Sequence, residues 1–96
     1  MAPLFPLGRL VMTTNLQRTL QETNPEHCED ALKALIVRHA AGDWGDLDSH
    51  DRDENDRALK HGGRLFSAYT TSSGLKVWVI TEADRTCTTA LLPDDY

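Results

Sequence analysis

After Gly62-Gly63 the chain changes period, and this change limits the fold more than any other feature. Three segments follow: RLFSAYT at 64–70, LKVWVIT at 75–81 and TCTTALL at 86–92. They are dominated by Thr, Val, Ile, Tyr and Trp, which suit a pleated, half-buried surface. A Ser72-Ser73-Gly74 turn and a short EADR turn join them, as in an antiparallel meander. Pro93 has no amide proton to give an interior ladder and ends the last strand.

The first 62 residues read differently. GRLVMT, 8–13, has the character of a short strand that can add to the meander. Thr13, Thr14 or Asn15 can cap a helix over about 15–21. A second helix is expected over about 25–41, with Asn24 as its cap and Pro25 at its first position. Its apolar row, Cys28, Ala31, Leu32, Leu35 and Ile36, continues into His39 at the spacing of one buried face. Gly42 stops it. Asp48 or Ser49 can cap a third helix over about 49–60, whose only apolar residues are Ala58 and Leu59. The expectation is one α+β domain over residues 1–96, with helices packed on a small sheet. Its 96 residues bury a limited core.

Charge is concentrated in one place. Residues 43–57 hold seven acids against Arg52 and Arg57, which equals the whole net charge of −5. There is no basic nucleic-acid footprint, so direct nucleic-acid binding is not expected. An acidic patch of this size repels phosphate and attracts basic surfaces. No apolar run is long enough for a membrane span, and no signal peptide is read at the start. The expected compartment is therefore the cytoplasm, with Cys28 and Cys87 as thiols rather than a disulfide.

The acidic run makes a poor calcium loop, because no frame places Gly sixth and Glu twelfth. His39, Asp43 and His50 could meet around a metal only if the chain doubled back, so neither metal nor cofactor is expected. Trp44, between Gly42 and Gly45, either plugs the loop onto the core or anchors a partner. The candidate partner surface comprises Asp43, Trp44, Asp46, Asp48, Asp51, Asp53, Glu54 and Asp56. Against it stands the reading of a solvated helix whose acids complement the dipole. A second constellation lies on the strands: His39, Arg64, Glu82 and Arg85 are the base, acid and phosphate clamp that a metal-independent ribonuclease needs. Cross-strand ion pairs and threonine ladders are the structural reading of the same residues.

RHAAGDWGDLD at 38–48, HGGRLFSAY at 61–69 and KVWVITEADRTCTTALLPDDY at 76–96 resemble a family of small uncharacterised bacterial proteins borne on plasmids and other mobile elements. The resemblance covers roughly residues 34–96. It implies a context rather than an activity, and the matching residues include Arg38, His39, Gly42, Asp43, Trp44, Gly45, Asp46, Asn55, Arg64, Ser67, Tyr69, Thr81, Glu82, Asp84, Arg85, Thr88 and Thr89. Two functions follow as expectations. One is a non-enzymatic interaction protein that inhibits a host defence complex through its acidic surface. The other is a ribonuclease-like enzyme, similar in layout to barnase- and RelE-type enzymes, that uses the polar sheet face. Oligomeric state is left open.

Overall fold

The computed structural model describes residues 3–96 and gives a two-layer α+β domain. Strand β1 spans Arg9–Met12. Helices α1, α2 and α3 follow at Thr14–Thr23, Cys28–Ala40 and Ser49–His61. Strands β2, β3 and β4 are Leu65–Thr70, Lys76–Thr81 and Cys87–Leu91, and a 3₁₀ turn closes the chain at Pro93–Asp95. The sheet order is β1-β4-β3-β2. The C-terminal strands form the antiparallel meander, whereas β1 joins the far side of β4 in parallel. The sheet is therefore mixed, because the three helices carry the chain from one edge to the other before β2 begins.

The strand alternation puts Leu65, Ser67 and Tyr69 on the same face as Val77, Val79 and Thr81 of β3 and Thr88 and Ala90 of β4. The helices cover this face. Leu16 and Leu20 of α1 and Leu35 of α2 pack on Tyr69, Val77, Val79 and Ala90. A second cluster of Phe5, Trp44, Leu47, Ala58 and Leu65 seats α3 beside β2.

Helix α2 begins three residues later than its sequence suggests. α1 runs on through Thr23, so Asn24 ends α1, with its N–H bonded to Leu20 carbonyl oxygen at 2.8 Å, instead of capping α2. Pro25 falls in the intervening turn, and the residue before α2, His27, makes no side-chain cap. Thr13 caps α1 and Asp48 caps α3, each accepting a backbone N–H.

The β2 edge is closed from outside. Gly45 forms a parallel bridge to Ala68, with Ala68 N–H bonded to Trp44 carbonyl oxygen at 3.2 Å and Asp46 N–H to Ala68 carbonyl oxygen at 2.7 Å. Two residues along, buried Asn55 of α3 replaces a strand. Its side-chain oxygen accepts the Phe66 N–H at 3.0 Å and its amide donates to the Phe66 carbonyl at 2.6 Å. Asn55→Ala should therefore cost about 2–3 kcal/mol, since both edge groups lose their partner while still shielded by α3. Urea denaturation measures the loss, and Asn55→Asp should recover only the bond from Phe66 N–H.

Candidate functional site

The residues expected to carry chemistry separate into three places. The first is a sealed polar row inside the core. His39, Ser67, Thr81 and Thr88 are all fully buried. His39 Nδ1 lies 2.5 Å from Ser67 Oγ, and His39 Nε2 lies 2.9 Å from Thr81 Oγ1. Thr81 Oγ1 lies 2.7 Å from Thr88 Oγ1, which in turn donates to Leu7 carbonyl oxygen at 2.7 Å. Each hydroxyl has one proton, so the directions follow from the far end. Thr88 gives its proton to Leu7 and must accept from Thr81. Thr81 must then accept from His39 Nε2–H, which leaves Nδ1 to accept from Ser67. His39 is thereby a neutral imidazole of fixed tautomer. Burial pushes its pKa down to about 4, and Phe5 and Trp44 enclose the ring edge-on at 5.3 and 5.7 Å.

A serine hydroxyl bonded to a histidine is the first half of an activated nucleophile. Here the second half is missing. The far nitrogen faces a neutral threonine rather than a carboxylate, so nothing stabilises an imidazolium. All four side chains are also closed to solvent, and a substrate carbonyl or phosphate cannot reach them.

The other three residues of the ribonuclease-like set do not join His39. Arg85 takes a left-handed conformation, φ 63°, and its guanidinium is occupied by the carbonyls of Gly63, Ala58, Glu82 and Ala83. It ties the end of α3 to the β3–β4 turn. Arg64 and Glu82 stand near each other at 3.8 Å, half exposed.

The second place is the acidic stretch, which the fold divides. Asp43 is bonded to Arg38 at 2.7 Å and to Gly45 N–H. The Arg38 bond, chiefly, holds its carboxyl below the usual range. Asp46 accepts from Thr70, and Asp56 accepts from Trp44 Nε1 at 3.3 Å. Trp44 is 5% exposed, packed on Phe5 and His39, which removes it from any partner surface and settles it as the plug of the loop. Tyr69 closes the loop by donating to Asp43 carbonyl oxygen at 2.6 Å. All seven acids remain exposed, Asp48 at the cap of α3 and Asp51, Asp53, Glu54 and Asp56 along it, with Glu54 paired to Arg57. Lys60 and His61 lie in the last turn, so the helix is acidic at its positive end and basic at its negative end. His50 is exposed in the first turn, away from buried His39, and Asp43 is committed to Arg38. Among the described residues no three His, Cys, Asp or Glu side chains converge into a metal-holding group. Cys28 and Cys87 are both free thiols.

The third place was not expected from the sequence. The sheet face away from the helices is apolar where a solvated face would be polar. Phe66 and Trp78 meet edge to face at 5.0 Å, and the Tyr96 ring meets Trp78 at 5.8 Å. With Ile80 and Arg64 they line a concavity of about 320 Å³. Arg64 donates to Tyr96 hydroxyl at 2.9 Å and lies over its ring, so its charge is held at the rim. The signal was present in the alternation: in β2 and β3 both parities are apolar, so the strands have a second buried-type face, and no helix or strand among the described residues is left to cover it. No helix among the described residues is long and apolar enough to cross a membrane. No protein family, curated protein or solved structure matches this chain.

Proposed function

We propose that the chain is a non-enzymatic interaction protein that receives an apolar side chain of a protein partner in the concavity of its open sheet face. The observation that carries this reading is the aromatic lining by Phe66, Trp78 and Tyr96, the last 70% exposed, on a face that no helix among the described residues covers. Aromatic anchors beside an arginine are the residues on which binding energy concentrates. The exposed acids at the cap of α3 and along it, Asp48, Asp51, Asp53, Glu54 and Asp56, favour a partner with a basic surface. They act through the long-range field and so speed encounter without touching the anchor. The resemblance of residues 34–96 to mobile-element proteins favours a host defence complex as that partner. The sealing of His39 speaks against the ribonuclease reading.

Affinity capture from the host followed by kinetics on the captured partner tests this. Trp78→Ala should raise the dissociation rate at least tenfold, as expected for loss of a central anchor. Asp51→Asn/Asp53→Asn/Glu54→Gln should slow association, most at low salt, and leave dissociation nearly unchanged. Equal capture by wild type and Trp78→Ala, with the variant folded, would remove the sheet face as the contact.

A further inference from the structure

The two edges of the sheet are treated differently. The β2 edge is closed by the Gly45 bridge and Asn55. Among the described residues no strand or bridge pairs with the outer edge of β1. The parallel ladder on β4 uses alternate residues, with Arg9 N–H on Thr86 carbonyl oxygen and Thr13 N–H on Ala90 carbonyl oxygen, so Leu10 and Met12 turn their backbone groups outward. Leu10 and Val11, on opposite faces of the strand, are 57% and 39% exposed. β1 has no proline, no lysine and no bulge to blunt its edge, and Arg9 is its one charge.

We infer that β1 pairs antiparallel with β1 of a second copy of this chain, giving one continuous sheet across a two-fold axis. Charge selects the occupant and the register. With Val11 opposite Val11 of the partner subunit, Leu10 and Met12 of the partner subunit exchange backbone hydrogen bonds, and Arg9 falls opposite Thr13 of the partner subunit, on the open face of the sheet. Thr13 carries an acid there, because its hydroxyl donates to Asp95 Oδ2 at 2.7 Å. The only charge on β1 therefore meets a carboxylate of the second copy, twice, by symmetry. Shifting the register to place Leu10 opposite Leu10 puts Arg9 opposite Val11, with no acid. It also needs Gly8, at φ 66°, to continue an extended ladder. Val11 pairs with itself on the open face, and Leu10 meets Met12 on the helix face.

This surface is separate from the aromatic concavity, so partner capture and self-association fail independently. Sedimentation equilibrium from micromolar to millimolar concentration should show wild type passing to twice the chain's mass. Val11→Lys changes only an exposed side chain and places two like charges at the axis. Arg9→Glu sets an acid against Asp95. Each should weaken dimerisation at least tenfold. Leu10→Pro removes an N–H that the fold itself does not use, and should abolish it. Circular dichroism checks that each variant is folded, and Val11→Lys keeps the test decisive where Leu10→Pro unfolds. A wild type that stays monomeric to millimolar concentration overturns the inference. So does a dimer that Val11→Lys and Arg9→Glu leave intact.

Discussion

His39→Leu should lose about 3–5 kcal/mol of stability, roughly half of what a domain of this size commonly has. Leucine fills the volume but neither donates nor accepts. Ser67 then has no acceptor and Thr81 no donor, both in full burial. The remaining bonds, Thr81 to Thr88 and Thr88 to Leu7, survive with their direction still fixed by the Leu7 carbonyl. Urea denaturation at pH 7.5 reads the loss. A companion effect appears in acid. In the unfolded chain His39 binds its proton near 6.5, in the folded chain only near 4. Between these values the unfolded state holds more protons, so this contribution to stability is complete above about pH 6.5 and declines as the pH falls towards 4. At about 1.4 kcal/mol per pH unit the total is about 3 kcal/mol. His39→Leu should remove that part of the slope as well as lowering the whole curve.

Gly45→Ala should be the other severe change, about 3–4 kcal/mol. Gly45 takes φ +75°, and an added Cβ would run into Ala68 carbonyl oxygen, with the Tyr69 ring behind it. Backbone cannot step aside as a side chain does. That carbonyl accepts the Asp46 N–H, so the loop must leave the β2 edge and take Trp44 out of its seat on Phe5 and His39. Gly74 is the internal control: its φ is +87°, but nothing lies within 4 Å of an added Cβ. Gly74→Ala should show only the left-handed backbone penalty, about 1–2 kcal/mol. Paired thermal melts should separate the two by roughly 10 °C, and only Gly45→Ala should shift tryptophan emission towards that of solvated indole.

Much of the fold was legible because it is written in period. The alternation of β2 to β4 and the row from Cys28 to His39 each follow the geometry of one element. What escaped depends on contacts between elements. Asn24 looks like the start of α2, yet α1 reaches it first, and no local rule ranks the two uses of one asparagine. Trp44 could be placed in the core or outside it from its neighbours alone; its packing with Phe5, Leu47, Ala58 and Leu65 decides. The site was harder to read. His39, Arg64, Glu82 and Arg85 are correct residue types for catalysis, but three-dimensional placement gives His39 to the core and Arg85 to the carbonyls at the end of α3. One violation of pattern announced this: Ser67 and Thr81 occupy the buried parity of otherwise apolar strands, and a buried hydroxyl there needs a polar partner from the opposing helix. Phe66 and Trp78 announced the open face in the same way, as large aromatics on the parity where an exposed meander should be polar.

The state of His39 separates a core relay from a catalytic base, and ring ¹⁵N chemical shifts followed with pH measure it directly. The expected result is a neutral ring with the proton on Nε2, an accepting Nδ1, and no titration until about pH 4. A ring that exchanges tautomers at pH 7 and titrates near 6.5 would place His39 in contact with solvent and put the ribonuclease reading ahead of the interaction reading.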